Sequence, residues 1–313
     1  MAYDSKLVVK RTIKRQAAGR IPAGELCIDD ALVSAFLGCS RVGFRQRRQL
    51  VDLLGMDLIC IAADYGPRSD DSALPSADFV GLHAIQEWAV QTDLFIFVLI
   101  DGAFEWGVRS WGFQRFLIMV MRQSDEVSDL LRRVDTLNRL LIRRAANLGA
   151  DGIVIADDIA YQRGLLLHPD QIRKLFLPSL ARQVEACHAA GLSTFFHSDG
   201  NIGDLLEDIV ASGFEGLQGI ESASGMDLAA IKADHGHRLC LWGNLDPACL
   251  VQESSAETID ARVAEVLASG ARDGGLIFGT SSGLFKAMRP RSIERAYRYV
   301  GKWGERRSSL PPS

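Results

Sequence analysis

The chain has 313 residues, of which 48% are hydrophobic and 24% charged, with a formal net charge of -4 and a pI near 5.9. This composition suits one domain with a large core, and the mild acidity gives no global reason to expect nucleic acid or an anionic membrane as a partner. No apolar stretch approaches the roughly 20 residues of a membrane-spanning helix, and the polar start lacks the apolar core of a secretory signal, so we expect a cytoplasmic protein.

Eight short apolar runs alternate along the chain with intervals that are mostly long enough to hold a helix. An amphipathic helix over residues 5–18 comes first, and Pro22 then favours an extended segment. The runs cover residues 23–28, 57–63, 94–100, 152–156, 193–196, 216–220, 238–242 and 275–279. Buried strands that alternate with helices predict a parallel sheet, and eight units predict a closed (β/α)8 TIM barrel. We therefore expect an α/β fold, a single-domain barrel over residues 1–305 with an N-terminal helical extension, and a disordered tail over residues 306–313.

Polar residues, many of them acidic, stand at the end of most runs. In a parallel barrel the carboxyl ends of the strands meet on one face, where catalytic groups gather. The residues in these places include Asp29, Asp64, Asp101, Asp157, Asp158, His197, Asp199, Glu221, Asn244, Asp246, Ser281 and Ser282, and the expected rim also includes Glu25 and Glu105. The sequence thus predicts an active-site rim that is rich in carboxylates.

The interval after the third run is the longest and holds an aromatic-rich segment, residues 104–113, before a long helix over residues 124–148. Aromatic clusters usually mean packing, but this one follows a strand end. Trp106 is therefore a candidate for contact with substrate or with a second subunit. A Ser/Asp/Pro-rich loop, residues 66–77, follows Asp64 and is either a substrate-covering loop or a plain surface connection.

His197, Asp199 and Glu221 offer one imidazole and two carboxylates, a ligand set that Zn²⁺ and other divalent ions accept. The alternative is a hydrogen-bonded His-Asp pair that binds substrate directly. Asp157 and Asp158 are adjacent, so on a strand they point to opposite sides, and we expect Asp157 to point inward. If Asp157 lies near Asp64, mutual repulsion would raise one pKa and create a general acid.

The turn after the last run and the segment after the seventh supply further candidates for binding substrate. Ser281 and Ser282 lie between two glycines and could cradle a ligand. Asn244, next to its strand, is a ligand contact, whereas Asp246 before Pro247 is equally suited to capping a helix.

Four motifs give the chain its resemblance to a known family: GMDLICIAADYG (55–66), GADGIVIADDIA (149–160), FFHSDGNI (195–202) and LWGNLDPACL (241–250). They resemble the uroporphyrinogen decarboxylase superfamily, which also contains zinc-dependent cobalamin methyltransferases. The resemblance implies a TIM barrel in which Asp64 stands at the place of the decarboxylases' catalytic Asp. It puts Glu25 in the region of their substrate-binding arginines and Ser282 at the place of their late His.

The chain differs from both the decarboxylases and the methyltransferases at several site residues, and these differences bear on which activity the resemblance implies. Asp199 replaces the Cys of the methyltransferases' His-x-Cys pair, so a thiolate zinc site is excluded there. The acidic rim would repel a polyanionic porphyrinogen unless a cation or protons intervened.

We therefore expect a corrinoid-linked methyltransferase (demethylase) that acts on a small methylated substrate. It would use a divalent metal such as zinc and a corrinoid on a partner protein, with catalytic residues Asp64, Asp157, His197 and Asp199. Its substrate contacts would be Glu25, Asp101, Trp106, Asp158, Asn244, Ser281 and Ser282.

Two other functions stay open. The first is decarboxylation of uroporphyrinogen or a related acid without a cofactor, in which Asp64 carries the chemistry. The second is a non-catalytic barrel that binds a tetrapyrrole or corrinoid. The family resemblance also implies a homodimer.

Overall fold

Strands and helices alternate along the chain in the computed structural model, which describes residues 4–16, 18–66 and 74–308, with side chains up to residue 303. The strands are β1 (Leu58–Ala62), β2 (Phe95–Asp101), β3 (Gly152–Ala156), β4 (Ala160–Tyr161), β5 (Gly164–Leu165), β6 (Ser193–His197), β7 (Gly216–Gln218), β8 (Cys240–Leu245) and β9 (Leu276–Thr280). The helices are α1 (Ser5–Ile13), α2 (Asp30–Leu37), α3 (Phe44–Leu54), α4 (Ala84–Gln91), α5 (Ala103–Trp111), α6 (Phe113–Met121), α7 (Asp125–Asn147), α8 (Pro169–Leu175), α9 (Leu177–Ala189), α10 (Leu206–Ala211), α11 (Leu228–His235), α12 (Ala248–Val251), α13 (Ala256–Gly270) and α14 (Pro290–Ser308).

The longer strands form one sheet in the order β1-β2-β3-β6-β7-β8-β9, and β4 and β5 form a separate antiparallel pair. The β2–β3, β3–β6 and β8–β9 pairs are parallel. Their residues are almost all buried, as expected for strands covered on both faces. Seven of the eight predicted runs are thus strands of one sheet, and the α/β class is confirmed.

The first predicted run, residues 23–28, is extended but is not a continuous strand. Ala23 and Ile28 form isolated parallel bridges to Phe278 and Leu284. The Asp57 amide donates to the Ala23 carbonyl at 2.7 Å, and the Trp242 indole donates to the Gly24 carbonyl at 3.0 Å. The run therefore lies beside β9 and the start of β1, as the sequence predicts for a first strand.

Two compact units make up the chain. One contains Met1–Cys60, Gln91–Phe95 and Leu217–Ser313, and the other contains Ile61–Val90 and Ile96–Gly216. We call them the terminal unit and the central unit. In the central unit, the buried face of α7 packs against α5 and α9, and in the terminal unit α13 packs against α11 and α14. The expected single domain and N-terminal extension stay predictions.

Helix boundaries differ from the predicted ones mainly at the chain's ends. Helix α7 matches the helix predicted over 124–148, but α1 ends at Ile13, where Lys14 and then Arg15 with its positive φ leave the helix. Helix α14 continues to Ser308, whereas the rest of the predicted tail lies outside the described residues, as does most of the 66–77 loop. None of the described helices is long and apolar enough to span a membrane.

Candidate functional site

Strand register brings a group of predicted site residues together in the central unit. Asp101 pairs with Ala156, and Ala156 pairs with His197, so the last residues of β2, β3 and β6 are level. Asp157 and Asp158 follow β3 directly, and Asp199 follows β6 by two residues. The carboxyl ends of these three strands therefore present Asp101, Asp157, Asp158, His197 and Asp199 at one edge of the sheet.

Carboxyl groups and backbone amides link the three strand-end segments. Oδ1 of Asp157 accepts the backbone N–H of Glu105 at 2.9 Å, and Oδ1 of Asp158 accepts that of Asp199 at 2.8 Å. The Glu105 carboxyl accepts the backbone N–H of Asp158. Two predicted site carboxyls, Asp157 and Asp158, thus also hold the loops in place.

Asp157 is fully buried and caps a helix that belongs to a different strand-end segment. Helix α5 begins after Gly102, which has no side chain to cap it, and Asp157 supplies the missing acceptor. A Cβ at Gly102 would lie 2.3 Å from Cγ of Asp157, so the carboxyl is pressed against this glycine. Asp157 is buried, whereas Asp158 is half-exposed and lies beside His197, and the inward direction expected for Asp157 stays a prediction.

His197, Asp158 and Asp199 form a cluster of three potential metal ligands. Nε2 of His197 lies 3.8 Å from Oδ1 of Asp158 and 3.9 Å from Oδ1 of Asp199. These separations are too long for direct hydrogen bonds, and one ligand atom from each residue lies within 4.8 Å of the others. The space among them can take a divalent cation or a polar substrate atom, and an imidazole with two carboxylates is a donor set that such a cation accepts.

Glu221, the third predicted metal ligand, lies in the terminal unit, and Asp158 stands in this cluster instead. The Glu221 carboxylate accepts a hydrogen bond from Oγ of Ser224. His197 is 7% exposed, and its buried Nδ1 has no hydrogen-bond partner. A metal-bound imidazole ordinarily donates its second N–H to an acceptor, so the outer support of this cluster is incomplete.

Burial, and then repulsion between neighbouring carboxyls, raises the pKa values of Asp101, Glu105 and Asp157. Burial, and then repulsion by Asp158 and Asp101, raises the pKa of Glu105 to about 7. Burial and the charge of Glu105 hold the pKa of Asp157 well above its usual range. We expected one raised pKa if Asp157 lay near Asp64. The pKa of Asp157 is raised, but burial, Glu105 and Asp158 raise it.

Asp64 follows β1 and is exposed. Its Oδ1 accepts the backbone N–H of Gly66 at 2.9 Å, and its backbone pairs with Gly81 in an isolated antiparallel bridge. The carboxylate therefore faces solvent at a strand end, in the place predicted for it.

Arg109 is a functional candidate that the sequence analysis missed. Its guanidinium forms an ion pair with Asp101, and its Cζ lies 5.2 Å from the Tyr65 ring centroid and 5.0 Å from that of Trp106. Trp106 is 4% exposed and packs edge-on against Tyr65. In this structure its side chain is therefore part of a packed aromatic pair and is not open to solvent. In the sequence, Glu105 and Arg109 are four residues apart, the spacing of an ion pair on a helix, and this spacing could have drawn attention to Arg109.

The predicted residues of the terminal unit lie in two places. Asn244 is buried and donates to the Ile220 carbonyl and to Oγ of Ser222, beside a cavity of about 420 Å³ that Ser222, Asn244, Asp246 and Arg262 help to line. Asp246 accepts the backbone N–H of Ala248 at 2.8 Å, which is the capping role left open above.

Glu25 lies inside the terminal unit, although we expected it to contact substrate. It is 2% exposed, and its carboxyl contacts Thr280 and Tyr297. Ser281 is buried and Ser282 is partly exposed in the turn after β9. The carboxyl of Glu25 thus serves an internal network next to this turn.

Sequence comparison matches residues 106–303 to the family described as "Uroporphyrinogen decarboxylase (URO-D)". The uroporphyrinogen decarboxylase of Tolumonas auensis is 28% identical over 193 residues, which are 60% of this chain and 51% of that protein. That of Pelodictyon phaeoclathratiforme is 27% identical over 188 residues, 58% of this chain and 50% of that protein. The chain spans about half the length of the curated relatives it matches.

Structural comparison finds similar folds along nearly the whole chain. A methyltransferase from Methanosarcina mazei superposes with a TM-score of 0.76 at 16% identity and covers 96% of this chain and 99% of its own. A B12-independent methionine synthase from Shewanella sp. W3-18-1 has a TM-score of 0.59 at 11% identity, with 92% and 98% covered. At these identities the likeness shows the fold alone.

Proposed function

The chain belongs to the uroporphyrinogen decarboxylase family, and from that premise we propose that it is a corrinoid-linked methyltransferase that demethylates a small substrate. The cluster of His197, Asp158 and Asp199 carries this proposal. An imidazole and two carboxylates that surround one point suit the activation of a leaving heteroatom. The family's polyanionic porphyrinogen substrate would instead meet further negative charge at this edge of the sheet.

The chemistry assigns a task to each group. In such a reaction the bond between the methyl carbon and the heteroatom would break and the electron pair would stay on the heteroatom. A corrinoid on a partner protein would supply the nucleophile that accepts the methyl group. His197, Asp158 and Asp199 would hold the divalent cation that stabilises this pair. The heteroatom then takes a proton from solvent as the demethylated product leaves.

Asp101, Arg109 and Trp106 would form the adjoining wall of the site. The ion pair and its packing on two aromatic rings hold the Arg109 side chain in one place. The Methanosarcina mazei protein, whose fold is similar over nearly the full length of both chains, is a methyltransferase, so the fold itself is compatible with methyl transfer.

Metal content is the first test, measured by elemental mass spectrometry on wild type, His197→Ala and His237→Ala. His237 is an exposed histidine of the terminal unit and controls for metal bound by surface imidazoles. We expect near-stoichiometric divalent metal in wild type and His237→Ala and its loss in His197→Ala. Equal metal in all three proteins, or none in any of them, would remove the cation from the proposal.

Methyl transfer is then assayed with cob(I)alamin and a panel of O-, N- and S-methylated compounds. A group that stabilises the leaving atom contributes on the order of 10²–10³ in kcat, so His197→Ala should lose at least that much. Asp64→Asn should lose less activity than His197→Ala, and His237→Ala should keep most of it. Loss with Asp64→Asn and retention with His197→Ala would contradict the proposal.

Decarboxylation is the second candidate, favoured by the curated relatives and by the exposed Asp64 carboxylate at the end of β1. In that case uroporphyrinogen or a related acid should release CO₂ without metal, and Asp64→Asn should abolish the release. Tight tetrapyrrole or corrinoid binding without turnover would instead indicate a carrier. The cytosolic location and the homodimer stay predictions.

A further inference from the structure

A buried hydrogen-bond network in the terminal unit joins Glu25 to the turn after β9. The Glu25 carboxyl accepts the backbone N–H of Thr280, at 3.0 Å from Oε1 and 3.2 Å from Oε2, and the hydroxyl of Tyr297 donates to Oε1. Oγ1 of Thr280 lies 2.7 Å from Oε2 of Glu25 and 2.9 Å from the Gly283 carbonyl oxygen. The Gly283 N–H donates to the same Oγ1 at 2.8 Å.

One hydroxyl proton cannot serve both acceptors of Thr280. With Glu25 ionised, the Thr280 hydroxyl would donate to Oε2, and the Gly283 carbonyl would face Oγ1 at 2.9 Å with no proton between the two oxygens. With a proton on Oε2, the acid donates to Oγ1 and the Thr280 hydroxyl donates to Gly283. Oε1 then accepts from the Thr280 amide and from Tyr297, and every one of these contacts has its proton.

We infer that Glu25 is a neutral carboxylic acid with its proton on Oε2, and that this proton fixes the Thr280–Gly283 turn. Glu25 is thus a positioning residue for Ser281 and Ser282, the two hydroxyl residues inside the turn. This role goes beyond the proposed function and does not depend on it, because it concerns a contact inside the terminal unit.

The surroundings of Glu25 agree with a neutral acid. Burial raises the pKa of Glu25 to about 7, and the groups that act against burial are the uncharged donors Thr280 and Tyr297. Burial and the neighbouring Glu25 carboxyl hold the pKa of Tyr297 well above its ordinary value, so the phenol keeps its proton. From β8, Trp242 presents an indole, which does not titrate. Among the described groups, no charged side chain acts on the pKa of Glu25.

The turn itself has little freedom to adjust if the proton is lost. Gly283 has a φ of +111°, and a Cβ there would lie 2.4 Å from Sγ of Cys27, so the backbone is packed against the first run. The Leu284 N–H donates to the Cys27 carbonyl at 2.9 Å. Ionisation of Glu25 would therefore weaken the Thr280–Gly283 contacts rather than shift the whole segment.

Infrared spectroscopy of wild type, Glu25→Gln and Glu253→Gln at pH 6 tests the inference. Glutamine at position 25 places an NH₂ donor where the acid has its O–H, and Glu253 is an exposed glutamate that controls for the loss of one carboxyl. Other buried acids with raised pKa values also contribute to the neutral-acid carbonyl band, so we expect this band in all three proteins, with equal intensity in wild type and Glu253→Gln and an intensity lower by one carboxyl group in Glu25→Gln. If wild type and Glu25→Gln have the same neutral-acid band intensity at pH 6, Glu25 is ionised and the inference is overturned.

The turn has its own readout, the exchange rate of the Gly283 amide hydrogen corrected for its intrinsic pH dependence. Above pH 7 the Thr280 hydroxyl no longer donates to the Gly283 carbonyl, so the turn should open more easily. The corrected exchange rate in wild type should then rise about tenfold, with no change in Glu25→Gln. A pH-independent rate in wild type would contradict control of the turn by this proton. If Glu25→Gln does not fold, the infrared spectra of ¹³C-glutamate-labelled wild type and Thr280→Val are compared instead. Thr280→Val removes the hydroxyl next to Oε2, so a shift of the neutral-acid band between the two proteins supports the inference, and identical bands contradict it.

Discussion

At the residue scale, single contacts explain why some acids of this chain were placed correctly and assigned the wrong neighbours. Alternation along a strand predicted that Asp157 points inward, and the residue is fully buried. A raised pKa was expected for Asp64 or Asp157 if the two lay close together, but burial, and then Glu105 and Asp158, raise the pKa of Asp157. Glu105 belongs to the first turn of a helix after a different strand, and such a neighbour depends on register that the sequence alone does not specify.

Gly102→Ala should destabilise the fold although its φ of -78° suits any residue. The new methyl group would meet Cγ of Asp157 at 2.3 Å, and overpacking of this kind costs roughly 1–3 kcal/mol in the free energy of unfolding. Urea unfolding measures the change. Gly301→Ala is the matched control, because it also lies in or beside a helix and nothing lies within 4 Å of its Cβ position. Equal stability of wild type and Gly102→Ala would show that Asp157 can move aside.

At the element scale, apolar runs predict strands well and helix ends less well. Seven runs became strands because buried parallel strands need uninterrupted Val, Ile, Leu and Phe, and this composition is visible in the sequence. Helix α1 ends five residues before its predicted end, at a turn in which Arg15 has a φ of 57°. Helix α5 shows a further limit, since its N-terminal acceptor, Asp157, comes from the segment after β3.

Substitution of Asp157 distinguishes a helix cap from a required charge. Asp157→Ala leaves the partly buried Glu105 N–H without its acceptor, which costs roughly 1–3 kcal/mol of unfolding free energy, whereas Asp157→Asn keeps an acceptor oxygen and should cost less. Thermal or urea unfolding of both variants at pH 6 measures the difference. If Asn destabilises as much as Ala, the carboxyl acts through its charge and not as a cap.

At the scale of the whole molecule, the buried acids should make the folded chain less stable as the pH rises. The pKa values of Glu25, Asp57, Asp101, Glu105 and Asp157 are all raised, with burial as the largest cause. The folded protein therefore holds protons that the unfolded chain releases. This behaviour differs from that of proteins whose carboxylates are stabilised by ion pairs, which lose stability in acid.

Between pH 4.5 and 7 the unfolded chain loses the Glu25 proton while the folded chain keeps it, so stability falls through this window and levels off above pH 7. For Glu25 alone the loss is about 3 kcal/mol. Unfolding by urea across this pH range should show a shallower slope for Glu25→Gln than for wild type and Glu253→Gln. Parallel slopes for all three proteins would mean that Glu25 has the same pKa in both states.

The sequence predicted which residues stand at strand ends but not which of them lie next to one another. His197 and Asp199 were named together because they are two residues apart, whereas Asp158 joins them through the pairing of β3 with β6. Glu221, which also follows a strand end, lies in the other compact unit. Sequence spacing identifies ligands from one segment, and the third ligand depends on which strands become neighbours.

The buried indole of Trp242 gives this molecule an optical reporter of its own interior. Its Nε1 donates to the Gly24 carbonyl, and a methyl group built on Gly279 would lie 3.1 Å from this nitrogen and 3.5 Å from Oε2 of Glu25. The electric field of a nearby carboxylate changes the emission energy of an indole, so the emission maximum of Trp242 should shift when Glu25 loses its proton. The state of a group that solvent does not reach can thus be followed by light, without labels and in the intact chain.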